Sequence, residues 1–306
     1  MRCSTRCPSH LKADMLLGIL MAAGLGLNLG ALCLYLYALV FLRFIAPVPA
    51  WRRALGARID AVIDHAVDVN RWLMNKRLLG EVEVTWQGKE RLSRDKWFLL
   101  IPNHQSWVDI ILLQNLMREH VPALKFFNKQ VLIWLPLVGL AMHFLGFPYL
   151  KRYSREQIAR RPKLKQVDQA RMRRAIEIFE KRPTGIMIFA EGTRFTAEKH
   201  ARQAPPYRHL LNPRSGGVAT VLARLGHRLE AVLDVTIVYP DGRPGFWGLL
   251  CGRMGAAKFD VRVLSVPGFA AADGLDEDAL RQATQDWLAE IWQARDARIR
   301  AIMEAR

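Results

Sequence analysis

The chain has 306 residues and 51% of them are hydrophobic, so a full core is available and disorder is not expected. The formal net charge is +17, which indicates an anionic partner: nucleic acid, an anionic membrane surface or an acidic substrate. The four cysteines, Cys3, Cys7, Cys33 and Cys251, form no Cys-x-x-Cys pair, which argues against a disulfide framework or a zinc site.

The first predicted element is a membrane segment. Residues 15–42 carry no charge, and as one continuous helix they would span about 42 Å against a hydrocarbon core of about 30 Å. Two geometries stay open: one tilted span, or two shorter helices hinged at GLNLG (26–30) and embedded in one leaflet. Residues 1–14 are predicted to be a basic N-terminal segment, and residues 15–45 a membrane-embedded helix or hairpin.

The next predicted element, residues 50–80, is an amphipathic helix lying at the membrane interface or against the domain. Two prolines in APVP (46–49) stop the membrane segment, because proline cannot continue a helix. From Trp51 to Leu79, apolar residues recur at helical spacing, and arginines and aspartates fill the other faces.

From residue 81 onward, predicted strands and helices alternate. The predicted strands are EVEVTW, WFLLIPN, ALKFFNK, GFPYLKR, GIMIFAEGT, EAVLDVTIVY and AKFDVRVLSV. The predicted helices start near Ser106, cover QVLIWLPLVGLAM, run from Gln166 to Arg182, follow NPRSGG, and run from Asp276 to Ile302. Such alternation predicts an α/β domain.

The stretch NHQSWVD carries the first candidate chemistry, with His104 five residues before Asp109. Two such residues inside one ideal helix would lie about 140° apart, so contact requires His104 on the strand-to-helix loop and Asp109 in the first turn. Ser106 is the predicted N-cap, with Asp109 at the third helical position. An alternative interpretation makes Ser106 and Asp109 a variant capping box and His104 an ordinary loop residue.

The stretch FAEGTR, from Phe189 to Arg194, is the second candidate. A buried strand ends at Phe189, Gly192 lets the backbone approach a ligand, and the guanidinium of Arg194 matches phosphate oxygens. Taken by itself, a glycine turn with an arginine at a strand end is common.

Together, NHQSWVD and EGTR resemble the His-x4-Asp and Glu-Gly-Thr-Arg boxes of the glycerolipid acyltransferase family, the 1-acyl-sn-glycerol-3-phosphate (lysophosphatidate) acyltransferases. FFNKQVLIWLPLVG is similar to the family's second region, whose lysine falls on Lys129. GFPYLKR resembles its glycine-to-arginine strand, with Arg152 as the arginine. Ala190 stands where the family commonly has proline. RYSREQ, FTAEKH and NPRSGG resemble the bacterial membrane subgroup of broad lysophospholipid type.

The resemblance implies a fold and a reaction. Residues 81–306 would form a single acyltransferase-type α/β domain, with a central mixed sheet flanked by helices, after the membrane helix or hairpin. The implied reaction moves an acyl group from acyl-CoA or acyl-carrier protein to the sn-2 hydroxyl of 1-acylglycerol-3-phosphate or a related lysophospholipid. The products would be phosphatidate or a diacyl phospholipid.

The resemblance also implies partners and a location. The expected partners are the lysophospholipid acceptor, the acyl donor and an anionic membrane, with no cofactor, no metal and no nucleic acid. The expected location is the membrane, the cell inner membrane if the protein is bacterial, with the catalytic domain on the cytoplasmic face.

Each box has an implied role in this reaction. An alcohol is a poor nucleophile, so His104 would act as general base while Asp109 fixes its tautomer and stabilises the imidazolium. Arg194 would hold the acceptor phosphate, and Glu191 would position this clamp or bind glycerol hydroxyls. The residues implied for substrate binding are Glu191, Gly192, Thr193, Arg194, Lys129 and Arg152.

Two other classes of protein stay open. One is a serine or thioester hydrolase that uses His104 with an unseen nucleophile. The other is a membrane-tethered nucleic-acid-binding protein, which the charge of +17 permits although the chain has no recognisable reading motif. The basic block Lys151–Lys165 is predicted to face an anionic leaflet or an acidic carrier protein, and an ordinary solvated face is the alternative.

Overall fold

The computed structural model describes residues 8–74, 76–150, 160–161, 163–270 and 276–305. The chain divides into two compact units. The first comprises Met1–Val84, Ser106–Asn115 and Val238–Phe259, and the second Thr85–Gln105, Leu116–Ile237 and Asp260–Arg306. The domain boundaries predicted from the sequence stay a prediction.

The first unit begins with α1, one continuous helix from Pro8 to Ile45. From Lys12 to Ile45 it is long and apolar enough to cross a membrane, by length and composition. Within this part of the helix, 17% of an apolar stretch of 18 residues is buried. The helix runs unbroken through residues 26–30, so the hinged alternative is wrong. Glycine lowers helix propensity but keeps its backbone N–H, so it does not end a helix as proline does.

Helix α2, Pro49–Leu73, packs against α1. Proline suits the first helical turn, where its missing N–H costs no hydrogen bond. The buried residues of α2 form one stripe at helical spacing: Gly56, Ile59, Val62, Ile63 and Val67. Asn28 of α1 donates to Asn70 of α2 at 2.9 Å, which pairs two polar groups between the helices. The first unit also contains α3 (Lys76–Leu79), most of α4 (Val108–Met117) and α9 (Phe246–Leu250).

The chain forms a six-stranded sheet, most of whose residues belong to the second unit. Its strands are β1 (Val82–Gln87), β2 (Trp97–Pro102), β3 (Leu124–Phe126), β6 (Gly185–Met187), β7 (Leu229–Val238) and β8 (Ala257–Leu264). Their order across the sheet is β1-β8-β7-β2-β6-β3. Strand β2 runs parallel to β6 and β7, and β3 runs parallel to β6. A separate parallel pair joins β4 (Asn128–Lys129) to β5 (Tyr149–Leu150).

Strand β2 lies at the centre of the core. Its residues Phe98, Leu99, Leu100 and Ile101 are all 0% exposed. A continuous apolar run is typical of a parallel strand that is covered on both faces. Around the sheet lie α6 (Lys163–Glu180), α7 (Ala197–Gln203), α8 (Ser215–Leu225) and α10 (Glu277–Glu304), and α8 packs against α6 and α10. The predicted α/β class, with a central sheet flanked by helices, is confirmed.

The predicted helix QVLIWLPLVGLAM is divided in the structure. A 3₁₀ helix covers Gln130–Trp134, and α5 covers Val138–Phe144. Pro136 lies between them and has no backbone N–H with which to continue the first helix. Between the two helices, Leu137 takes a positive φ of 61°.

A buried ion network joins α10 to the sheet. Arg295 is 0% exposed; its Nε donates to Asp234 Oδ1 at 3.0 Å, and its guanidinium donates to the Ile101 carbonyl at 2.6 Å. Arg298 also pairs with Asp234, and with Asp260 at 3.3 Å. Asp234 of β7 lies opposite Ile101 of β2 in the strand register. The network therefore fixes α10 against the strand that leads to His104.

Helix α10 also holds the loop before α8. The backbone N–H groups of Arg208 and His209 donate to the carboxylate of Asp296 at 3.1 and 2.7 Å. The indole Nε1 of Trp292 donates to the Leu211 carbonyl at 3.1 Å. This loop is therefore placed by side chains of α10, and it reaches the candidate site described next.

Candidate active site

Asn103 directly follows β2 and is hydrogen-bonded to β7 through its side chain. Its Nδ2 donates to the Ile237 carbonyl at 2.9 Å, and the Ile237 N–H donates to its Oδ1 at 2.7 Å. The side chain is 0% exposed and takes the place of a backbone pair in the ladder with β7. The next residue, His104, lies on the loop between β2 and α4.

His104 is held in place by its ring and by its backbone. The imidazole is 9% exposed and stacks on Phe189, with ring centroids 3.9 Å apart and planes 22° apart. The backbone N–H of His104 donates to Glu191 Oε1 at 3.0 Å, and the backbone carbonyl of His104 accepts from the Phe195 N–H at 2.8 Å. All these partners belong to or adjoin the FAEGTR stretch. The second predicted box therefore holds the first by its backbone.

Glu191 joins two backbone segments through one buried carboxylate. While Oε1 accepts from His104, Oε2 accepts from the Leu211 N–H at 3.1 Å, and the residue is 0% exposed. The sequence predicted that Glu191 positions the clamp or binds glycerol hydroxyls. The observed contacts are those of a positioning residue, and contact with glycerol stays a prediction.

Gly192, Thr193 and Arg194 form a turn after β6. Gly192 has a φ of +71°, a conformation that favours glycine, and its N–H donates to the Phe189 carbonyl at 2.9 Å. The Lys199 ammonium donates to the Thr193 hydroxyl at 2.8 Å and to the Arg194 carbonyl at 3.0 Å. The Arg194 side chain is exposed. A lysine therefore fixes the turn from which Arg194 projects.

Arg214 is a second arginine at this turn, and it lies outside the Glu-Gly-Thr-Arg box. Its N–H donates to the Ala190 carbonyl at 2.8 Å. Its side chain lies over Gly192, so that a Cβ on Gly192 would be 3.3 Å from Arg214 Cδ and 3.4 Å from Nε. The side chain is exposed. The turn therefore has guanidinium groups from two separate segments of the second unit.

Asp109 lies in the first unit, as the second residue of α4. It is 0% exposed, and its Oδ2 accepts from the Ser106 N–H at 2.8 Å, as the capping-box interpretation requires. The Ser106 hydroxyl accepts from the Val108 N–H at 3.1 Å and donates to the Pro244 carbonyl at 2.5 Å. Ser106 and Asp109 of the His-x4-Asp box therefore supply side-chain hydrogen bonds at the start of α4.

The other oxygen of Asp109 has a partner that sequence reasoning missed. Tyr239, directly after β7, donates its hydroxyl to Asp109 Oδ1 at 2.7 Å. Burial, together with the charge and hydrogen bond of Asp109, raises the pKa of Tyr239 well above its ordinary value, so the phenol stays a neutral donor. The sequence places Tyr239 before a Pro-Asp-Gly turn, and nothing in that pattern points to Asp109.

The predicted site residues are distributed as follows. His104, Glu191, Gly192, Thr193 and Arg194 lie in the second unit, and the contacts above join them. Asp109 lies in the first unit, Lys129 is exposed in β4 of the second, and Arg152 lies outside the described residues. In the described ranges, no three His, Cys, Asp or Glu side chains are grouped so that they could hold a metal ion.

A family model described as Acyltransferase matches residues 83–240, more than half of the chain. The chain therefore belongs to the acyltransferase family, as the two boxes predicted.

Several curated relatives are similar to the chain. It is 29% identical over 181 residues to the probable 1-acyl-sn-glycerol-3-phosphate acyltransferase 5 of Arabidopsis thaliana, covering 55% of this chain and 45% of that protein. It is 26% identical over 210 residues to the mouse 1-acyl-sn-glycerol-3-phosphate acyltransferase gamma, covering 65% and 51%. Lysocardiolipin acyltransferase 1 of Gallus gallus is 24% identical over 275 residues, covering 84% and 65%. The chain spans about half the length of the first two relatives.

A solved structure shares the fold. The crystal structure of the 1-acyl-sn-glycerophosphate acyltransferase PlsC from Thermotoga maritima matches with a TM-score of 0.52 at 20% identity, over 95% of this chain and 98% of that one. At this identity the match shows the fold alone. The curated relatives named above are eukaryotic, so membership of the bacterial membrane subgroup stays a prediction.

Proposed function

We propose that the chain is a membrane-bound O-acyltransferase that acylates the sn-2 hydroxyl of 1-acylglycerol-3-phosphate or a related lysophospholipid. The donor would be acyl-CoA or acyl-carrier protein, and the product phosphatidate or a diacyl phospholipid. The observation that carries the proposal is the hydrogen bond from the backbone N–H of His104 to the Glu191 carboxylate, which joins the two boxes. The names of the curated relatives support the same substrate class.

The proposed chemistry is direct transfer with His104 as general base. His104 takes the proton of the acceptor hydroxyl while the oxygen attacks the thioester carbonyl. The C–O bond forms, the C–S bond breaks, and the imidazolium returns the proton to the leaving thiolate. On the spacing of the sequence, Asp109 is assigned to orient the imidazole and stabilise its charged form. No cofactor takes part in these steps.

The acceptor phosphate would be held by the turn after β6. Arg194 is exposed there, and the guanidinium of Arg214 lies over Gly192 in the same turn. Guanidinium groups bind phosphate oxygens through paired, charge-assisted hydrogen bonds. Lys129 and Arg152 are the further cations that the family resemblance assigns to the acceptor.

Membrane attachment belongs to the same proposal. Helix α1 exposes large apolar side chains along its length, among them Leu27 at 75%, Leu34 at 65% and Phe44 at 82%. A bilayer would cover such side chains, and the net charge of +17 favours an anionic leaflet. If the protein is bacterial, the proposed location is the inner membrane, with the catalytic residues on the cytoplasmic face.

The test is acyl transfer by the purified full chain in lipid vesicles. With labelled acyl-CoA, we expect labelled diacyl product only when a lysophospholipid is present, and a panel of lysophospholipids with mass detection identifies the head group. Loss of the thioester without acceptor would instead support a hydrolase, and retention on DNA with neither activity would support a nucleic-acid-binding protein.

A histidine substitution tests the base. We expect His104→Ala to abolish transfer, because no other group is assigned to take the hydroxyl proton. The matched control is His227→Ala, at an exposed histidine of the second unit, which should keep normal turnover. Near-normal turnover by His104→Ala would remove His104 from this role.

A further inference from the structure

We propose that Tyr239 is a positioning residue for acyl transfer and that it acts through Asp109. The inference rests on the proposed function, since it assumes that Asp109 orients the general base. Tyr239 lies 130 positions after Asp109 in the chain and belongs to the same compact unit. Neither the His-x4-Asp box nor the Glu-Gly-Thr-Arg box includes it.

The geometry places the Asp109 carboxylate between two donors. The Tyr239 hydroxyl donates to Oδ1 at 2.7 Å, and the Ser106 N–H donates to Oδ2 at 2.8 Å. Because each oxygen is held from a different segment, rotation of the carboxylate about χ2 would break at least one hydrogen bond. A carboxylate that orients an imidazole has to keep one direction, and these donors restrain it.

Burial makes the tyrosine contact strong. Asp109 is 0% exposed and Tyr239 is 6% exposed, so water does not compete freely for the carboxylate. A hydrogen bond from a neutral donor to a buried charged acceptor is stronger than one between neutral groups. The raised pKa of Tyr239 is in accord with this arrangement, because a phenolate beside Asp109 would repel it.

Under the proposed function, in which Asp109 stabilises the His104 imidazolium, the Tyr239 hydroxyl would also limit how strongly the carboxylate does so. A carboxylate that loses a donor carries a less compensated charge, and it stabilises an imidazolium more strongly. Removal of the hydroxyl should therefore keep the base protonated up to a higher pH. The acid limb of the pH–rate profile, which reports protonation of the essential base, should then move to higher pH.

The experiment compares Tyr239→Phe with Tyr207→Phe in the full chain. Tyr207 is also buried beside a carboxylate, that of Asp296, so both variants remove one phenol hydroxyl. For Tyr239→Phe we expect kcat to fall about tenfold with KM for lysophosphatidate unchanged, and the acid limb to rise by about half a pH unit. Tyr207→Phe should change neither.

Two outcomes would overturn the inference. An unchanged kcat would remove Tyr239 from positioning, and a fall in kcat with an unmoved acid limb would make its role merely structural. A double-mutant cycle gives an independent readout: on an Asp109→Asn background, Tyr239→Phe should have no further effect on kcat. Full additivity of the two losses would contradict action through Asp109.

A second variant covers the case in which Tyr239→Phe does not fold. Difluorotyrosine at position 239 keeps the hydroxyl and makes it a stronger donor, so the acid limb should move to lower pH. An unmoved limb with this folded variant overturns the inference. Failure of the proposed function is distinct, because it would appear in the unmodified chain as absent transfer or as transfer that survives His104→Ala.

Discussion

Replacing Glu191 with glutamine tests whether its carboxylate positions backbone or binds acceptor. Both oxygens accept buried N–H groups, from His104 and Leu211. Glutamine keeps one acceptor oxygen but turns an NH2 group toward the other N–H. The variant therefore loses a hydrogen bond to a charged group, about 1.5–3 kcal/mol, and leaves a buried donor unsatisfied, about 1–3 kcal/mol more.

The assay combines thermal unfolding in detergent with acyl-transfer kinetics. A loss of about 4 kcal/mol lowers the melting temperature by about 10 °C at about 2–4 °C per kcal/mol for a domain of this size. We expect that fall together with a lower kcat, because the backbone at His104 is no longer fixed. Glu290→Gln makes the same chemical change at an exposed position of α10 and should alter neither. A raised KM for lysophosphatidate with an unchanged melting temperature would refute the positioning role.

The remaining predictions concern the partly buried Lys125 and the buried Arg295. Burial lowers the pKa of Lys125 from 10.5 to about 8. Between these two pH values the unfolded chain binds a proton that the folded chain does not. The free energy of unfolding therefore rises with pH across this range, by up to about 3 kcal/mol. Melting temperatures measured from pH 7 to 10.5 should show that Lys125→Met is more stable than the unmodified chain at pH 7. The variant should also lack the increase in stability with pH that Lys125 causes. The prediction would be contradicted if the melting temperature rose equally with pH in both proteins. Arg295→Met should lower the free energy of unfolding by about 3–5 kcal/mol, because it removes a buried partner of Asp234. Arg300→Met, at an exposed position of the same helix, is the control in urea unfolding. If Arg295→Met and Arg300→Met lowered the free energy of unfolding equally, the buried pair would add no stability.

Local patterns were enough to predict the strand-to-helix position of His104. An apolar run, a proline and a serine cap define where β2 ends and α4 begins, and each signal lies within a few residues of the next. The cap itself differs by a small shift, because α4 begins at Val108 and Asp109 is its second residue rather than its third. The long apolar helix was predictable for the same reason, as its signal is the continuous absence of charge.

Contacts between distant segments were not predictable. Tyr239 contacts Asp109 across 130 positions, and Arg214 lies over Gly192 in a segment whose backbone N–H pairs with the Ala190 carbonyl. Neither residue lies in a pattern that differs from an ordinary strand end or helix start. The backbone contacts of Glu191 were hidden for another reason: a glutamate in a glycine turn suggests an exposed ligand, whereas here it is fully buried.

The anchoring role of α10 matters when the two boxes are used to judge whether a gene encodes a functional protein. A premature stop codon before Trp292 would leave both boxes intact in the translated product. It would also delete the indole that binds the Leu211 carbonyl, the guanidinium that binds the Ile101 carbonyl, and the carboxylate of Asp296. A truncated gene of this kind would be judged functional from its two boxes, although the supports behind His104 and Glu191 had been lost.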